Sequence, residues 1–148
     1  MISYDLFRPV DDALAAGITE EILVIEVVLV ALVLANIVAR ALAHRRHVSQ
    51  ADDGAEAISR HPFHVFTNIG VVVMGFYYAT VEYQAGMVFS TIVVVVLLTD
   101  LFEFESRKVE ARREIDIERP KAAIAGSLLA LAYVGYVTLF TGPLGQFL

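Results

Sequence analysis

Every histidine in this chain lies within residues 43–64, where the four form two H-x-x-H pairs. Imidazoles at this spacing can bind one metal ion if the backbone is helical, and helical metal sites combine histidines with carboxylates. Asp100 and Glu103, on a later predicted helix, would lie at a depth in the membrane similar to that of the histidines. One hypothesis is therefore a zinc or iron site built from His44, His47, His61, His64, Asp100 and Glu103.

The neighbouring charges favour a different interpretation. Arg45 and Arg46 lie inside the first pair and would repel a divalent cation. The Glu-x-x-His pairs that two helices usually supply to a di-metal site are also missing. The stretch is then a basic collar for anionic lipid headgroups, and a proton-binding role for the histidines is a further alternative. The collar residues are Arg40, Arg45, Arg46 and Arg60.

Catalytic motifs are missing from the sequence. It contains no G-x-S-x-G, no H-E-x-x-H and no phosphate-binding glycine-rich loop. We therefore expect no enzyme, and no cofactor unless the histidines bind zinc or iron. Nucleic acid is not expected as a partner, because the charged segment 103–121 interleaves acids with its bases.

Four polar side chains are predicted at similar depths, one in each of four apolar segments. Such side chains are costly in lipid and usually turn toward neighbouring helices. They would form either a hydrogen-bonded layer that fixes helix packing or a polar layer that binds an ion. This intramembrane layer consists of Asn36, Asn68, Asp100 and Ser127.

Glu26 is the one acid within the first apolar segment beyond its start. It could extend to the outer interface, pair with Tyr77, Tyr78 or Tyr83, or stay protonated between helices. A glutamate in the first span resembles the arrangement in small multidrug transporters. That resemblance implies that Glu26 acts as a transport acid.

Helices that cross a membrane must position these residues. The chain has 148 residues and no cysteine, is 57% hydrophobic and has a mean hydropathy of +0.66. Its apolar residues are concentrated in blocks long enough to span lipid, where each backbone polar group must pair within its own segment. The prediction is an all-α integral membrane four-helix bundle, a single domain over residues 1–148, with spans at about 18–42, 64–81, 87–102 and 122–140.

The basic residues predict the orientation of these spans. Ten of the eleven Lys and Arg residues lie in or beside segments 43–63 and 103–121, and only Arg8 lies elsewhere. Both segments fall on one side of a four-span chain, so the positive-inside rule makes that side cytoplasmic and both termini extracellular. No signal peptide is expected, because acids outnumber bases in the first 17 residues.

Two further helical segments are predicted at the membrane surfaces. Apolar residues recur at helical spacing from Phe7 to Ile18, which favours a short interfacial helix on the outer side. The third span is followed by charged residues with neither Gly nor Pro until Pro120. We expect the third helix to continue into the cytoplasm, to about Glu118, either as a solvated face or as a docking arm for another subunit.

The stretches "LAHRRHV", "ISRHPFH" and "TDLFEFESRKVEARRE" followed by "ERPK" resemble a group of small four-span membrane proteins of halophilic archaea. The similarity covers most of the chain, and the net charge of −6 fits a salt-adapted source. The resemblance implies a cell-membrane location. No activity is assigned to that group.

The expected function is that of a non-enzymatic structural or accessory subunit, or a scaffold, of a membrane assembly. The expected partners are anionic membrane lipids and either further copies of the chain or a larger assembly. A small transporter that uses Glu26 or the Asn36/Asn68/Asp100 layer is the first alternative. A metal-binding membrane protein is the second.

Overall fold

The structure is a computed structural model that describes residues 7–19 and 22–140. This part of the chain is almost wholly helical. It contains five α-helices and a single 3₁₀ turn, Ala55–Ala57, between the second and third of them. The helices are α1 (Arg8–Leu14), α2 (Val24–Ala51), α3 (Pro62–Val81), α4 (Tyr83–Arg112) and α5 (Lys121–Phe140).

The first long helix begins later and ends later than the sequence predicted. Gly17 and Leu23 pair as an antiparallel bridge, so the chain turns before α2 instead of entering a helix at Ile18. Leu23 is extended, and its backbone N–H donates to the carboxylate of Glu26. Because no Gly or Pro follows Leu42 until Gly54, the helix continues through the first histidine pair to Ala51.

The connection between α3 and α4 is shorter than the predicted five-residue turn. Pro62 occupies the first turn of α3, where its missing N–H costs no hydrogen bond. A single residue, Glu82, separates the two helices, so most of the "EYQAG" segment belongs to α4. This tight reversal holds α3 and α4 side by side along their length.

Helix α4 extends beyond the predicted span, but it ends before Glu118. Its last residue is Arg112, and Glu114 has a positive φ of 56°. The N–H of Ile115 bonds to the carbonyl of Glu110, which closes the helix end before the chain reaches Pro120. A left-handed residue of this kind is a frequent way of ending a helix.

The four long helices pack in the order α2, α3, α4, α5 and back to α2, and α2 also makes a smaller contact with α4. The faces that meet are mostly apolar, and they include the buried Leu29, Tyr78, Phe89 and Val134. Large apolar side chains also point away from this core along every long helix. Such an outward apolar surface suits lipid as the surrounding solvent.

Candidate functional site: a buried ion pair between the helices

An arginine–aspartate ion pair lies at the centre of the packed helices. Arg40 of α2 donates from Nε to Oδ1 of Asp100 at 3.1 Å and from Nη2 to Oδ2 at 2.6 Å. The two side chains are only 2% and 5% exposed. Two parallel N–H···O bonds to a carboxylate are the strongest form of this interaction, and they fix its geometry.

Hydrogen bonds extend from the ion pair to the remaining long helices. Arg40 also donates to Asn36 on its own helix and to the Ser127 hydroxyl of α5. Asn36 in turn donates to Asn68 of α3 at 2.6 Å and to Thr67 at 3.0 Å. The structure therefore brings together all four residues of the predicted intramembrane layer, and it adds Arg40 and Thr67.

Arg40 does not lie where the sequence analysis placed it. It was assigned to the headgroup collar, but its side chain is buried inside the packed helices. Asn36 and Arg40 are four residues apart, so both lie on the face of α2 that turns toward Asp100. An intramembrane acid needs a cation at the same depth, and this requirement was the signal for Arg40.

The other collar residues are exposed. Arg45 and Arg46 lie on the surface of α2 near its end, and Arg60 lies just before α3. The Arg60 guanidinium stands 4.3 Å above the ring of Phe104, a cation–π contact with α4. Contact of these residues with lipid headgroups remains a prediction.

The four histidines have different surroundings. His47 is buried, and its Nδ1 accepts a hydrogen bond from Arg107 of α4 at 2.9 Å. Its Nε2 lies 2.9 Å from the carbonyl of Ser59, so Nε2 carries the proton of a neutral ring. Nε2 of His64 lies 3.4 Å from Asp100, too long for a good hydrogen bond.

The predicted metal ligands do not form a coordination site in the described residues. There, no three His, Asp or Glu side chains are placed to hold one ion. The nitrogen of His47 that faces α4 is engaged by Arg107, and the oxygens of Asp100 are engaged by Arg40. Glu103 accepts instead from the backbone N–H of Ala123, at the start of α5.

Arg107 is a buried residue that the sequence analysis did not single out. It is 3% exposed and lies seven residues after Asp100, two helical turns along the same face of α4. Its Nη2 atom has no hydrogen-bond partner among the described residues. The spacing Asp100, Phe104, Arg107 was a usable signal, because residues at i, i+4 and i+7 share one helical face. All three side chains are buried in the structure.

Glu26 is inside the structure and bonded through both carboxylate oxygens. Oε1 accepts from the hydroxyl of Tyr78, which is fully buried, at 2.9 Å. Oε2 accepts from the backbone N–H of Leu23 at 3.1 Å and so caps the first turn of α2. Of the roles considered for Glu26, the structure shows the tyrosine pairing, with Tyr78, and a side chain buried among the helices.

A cavity of about 310 Å³ lies beside the ion pair, between α3 and α4. Asn68, His64 and Asp100 reach it from the polar layer, and His61 and Arg60 line its outer part. Apolar side chains of both helices complete the wall. The cavity gives small polar species a place next to Asp100.

The fold and the buried polar layer define the class of this protein. Its four long helices have the length and apolar composition needed to cross a membrane, so it is a helical, multi-pass membrane protein. The chain belongs to the family described as a domain of unknown function, DUF7313, which matches residues 3–144. Neither the curated proteins nor the solved structures contain a match to it.

Proposed function

We propose that this protein is a non-enzymatic structural subunit of a membrane assembly, built as a four-helix bundle. Its location would be the cell membrane of a halophilic archaeon. The positions of the basic residues support cytoplasmic segments 43–63 and 103–121 and extracellular termini. One observation carries the structural role, namely the saturation of the buried Arg40–Asp100 pair by hydrogen bonds.

This bonding favours a packing role because every guanidinium nitrogen of Arg40 and both carboxylate oxygens of Asp100 already have a partner. Both oxygens accept from Arg40, Nη2 also donates to Asn36, and Nη1 donates to Ser127. A single unpaired charge in lipid is costly. Because each charge of this pair depends on partners from other helices, the pair favours one arrangement of those helices. A rigid arrangement is what a scaffold requires.

The end of α4 supplies the contact surface for this proposal. Beyond the predicted span it carries exposed charged residues together with Val109, which is 42% exposed. An apolar side chain on a charged helix that leaves the membrane has neither lipid nor core to cover it. A neighbouring subunit would cover it.

Blue-native electrophoresis after mild detergent extraction tests the assembly directly. We expect a band well above the mass of one chain, and a discrete adduct from a photocrosslinking residue at Val109. The control is the same residue at Val95, which is 56% exposed within the span and should label lipid or detergent. A monomer at native abundance, with no adduct from Val109, would contradict the proposal.

Small-molecule transport is a second candidate, favoured by the cavity that reaches Asn68, His64 and Asp100. It predicts proton or cation flux in liposomes that contain the purified protein. The flux would disappear in Asp100→Asn. It would persist in Asp12→Asn, because Asp12 is an exposed acid in α1 that does not line the cavity. Such a result would replace the structural proposal, whereas we expect the native protein to give no flux above that of empty liposomes.

A further inference from the structure

A second cavity, of about 430 Å³, forms a groove between α2 and α5. These two helices pack directly against each other, and the groove opens at the end of their contact that carries the basic residues. Its polar wall consists of Arg40, His44, Arg45 and Arg119. Its apolar wall includes Ile37, Ile124 and Leu128.

The groove carries an excess of positive charge. None of its lining residues is Asp or Glu, and of its three arginines only Arg40 is neutralised, by Asp100. Arg45 and Arg119 are exposed, and neither has an ion pair within 4 Å or a side-chain hydrogen bond in the described chain. The groove therefore offers two free guanidinium groups to an anion.

Nearby acids do not form ion pairs with these two arginines in the described residues. Glu103, Glu110 and Glu118 line a neighbouring cavity that Arg119 also reaches. Glu103 bonds to the N–H of Ala123, and Glu110 to the N–H of Glu118, so two of the three are engaged by backbone. Among the described residues, no carboxylate lies within ion-pairing distance of Arg119.

His44 lies in the same wall. Its Nδ1 is inaccessible to solvent and has no hydrogen-bond partner in the described part of the chain. A ligand in the groove cannot reach an inaccessible atom, so the donors that the groove offers are the guanidinium groups of Arg45 and Arg119.

The apolar wall continues the groove along the face of α5. Ile124 and Leu128 are one helical turn apart, and they are 39% and 53% exposed. They belong to the predicted fourth span, whereas Arg45 and Arg119 lie just beyond the spans. The groove therefore has a cationic end at the membrane surface and an apolar end within the lipid.

We propose that this groove binds an anionic membrane lipid through its phosphate headgroup. Arg45 and Arg119 contact the phosphate oxygens, and an acyl chain lies on Ile124 and Leu128. Basic pockets between membrane helices are suited to acidic headgroups, and guanidinium groups match the geometry of phosphate. This site adds a ligand to the chain and does not depend on its role in an assembly.

The cavity between α3 and α4 is less suited to the same ligand. The carboxylate of Asp100 lines it, which disfavours a second anion. Its nearest free cation, Arg60, lies over the ring of Phe104. The α2–α5 groove is the better phosphate site because two of its arginines, Arg45 and Arg119, have no ion pair among the described residues.

Native mass spectrometry of the full chain in detergent tests the proposal. Phosphatidylglycerol and phosphatidylcholine are titrated onto the native protein and onto the double variant Arg45→Gln/Arg119→Gln. We expect phosphatidylglycerol to bind the native protein more tightly than phosphatidylcholine. In the variant its affinity should fall about fivefold for each arginine removed, hence about twenty-five-fold in all.

The charge-matched control is Arg112→Gln/Arg113→Gln. Both arginines are exposed and line neither cavity, so this variant has the same net charge with the groove intact. We expect it to bind phosphatidylglycerol like the native protein. Equal losses in the two double variants, or equal affinity for the two lipids, would overturn the site. Inorganic phosphate that binds with the same arginine dependence while the lipid does not would overturn the lipid assignment.

Discussion

Arg40 links the long helices of this protein through the hydrogen bonds of one buried side chain. Its guanidinium contacts residues of α2, α4 and α5, and Asn36 extends the contacts to α3. The net charge of the buried Arg40–Asp100 pair is zero, because the guanidinium and the carboxylate neutralise each other. Removing either partner leaves the other charge buried and unpaired.

Our first prediction concerns this pair. Arg40→Met should destabilise the protein by about 3 kcal/mol or more, because the Asp100 carboxylate would remain buried without its cation. The double variant Arg40→Met/Asp100→Leu should recover most of this loss, since apolar residues of similar volume can replace a buried ion pair. Thermal unfolding in detergent measures both.

Arg46→Met serves as the control for this prediction, because Arg46 is exposed on the same helix. Its melting temperature should stay close to that of the native protein. A double variant no more stable than Arg40→Met would show that the hydrogen bonds to Asn36 and Ser127, and not charge balance, dominate the energetics.

The second prediction concerns Glu26, whose carboxylate shares its bonds between Tyr78 and the backbone of Leu23. Tyr78→Phe removes the buried hydroxyl and should cost about 1–3 kcal/mol, because one carboxylate oxygen loses its partner. Tyr77→Phe removes a hydroxyl bonded to Asp11 at an exposed position and should change little. Unfolding temperatures that fall equally in both variants would contradict the buried role of Glu26.

At the scale of the helices, close packing of α3 against α4 depends on small residues. Gly86 lies in the first turn of α4, directly opposite the backbone of Tyr78 and Ala79. A Cβ atom at Gly86 would overlap that backbone, which no rotamer change can relieve. The single-residue connection at Glu82 keeps the two helices from moving apart there.

Our third prediction follows from this contact. Gly86→Ala should destabilise the protein by about 2 kcal/mol, as overpacking does, although alanine favours a helix more than glycine. Gly135→Ala is the matched control in α5, where a Cβ would meet open space. That variant should be as stable as the native protein or slightly more stable, and a similar loss at both sites would refute the packing argument.

At the scale of the whole molecule, the proposed orientation decides which sites face the cytoplasm. The α2–α5 groove, the histidines and the end of α4 all lie at the end that carries the basic segments 43–63 and 103–121. Glu26 and the Glu82 turn lie at the other end. In the opposite orientation the groove, the histidines and the end of α4 would face outward, and Glu26 and the Glu82 turn would lie on the cytoplasmic side.

The fourth prediction tests this orientation by single-cysteine labelling, which is clean because the chain has no native cysteine. Glu82→Cys should react with an impermeant thiol reagent in intact cells, and Asp53→Cys only after the membrane is opened. Both positions are exposed and neither side chain makes a hydrogen bond or ion pair in the described residues. Ser3→Cys and Gln146→Cys test the termini, and the opposite pattern would overturn the orientation.

The sequence alone determined the class of this protein and the rough position of its helices. Long apolar blocks allow little besides membrane helices, because lipid offers no partner to an unpaired backbone group. Helix ends were harder to predict. The start of α2 depends on the Gly17–Leu23 bridge and on the Glu26 cap, which are contacts between residues that periodicity does not connect.

Only the tertiary structure decided which polar residues pair. Asn36, Asn68, Asp100 and Ser127 could be grouped by depth, because each side chain needs a partner in lipid. Depth along a helix does not specify rotation about its axis, however, and rotation determines whether Arg40 faces headgroups or Asp100. Packing of the four long helices fixes that rotation. As a result Arg40 is buried against Asp100, His47 bonds to Arg107, and Arg45 and Arg119 line one groove.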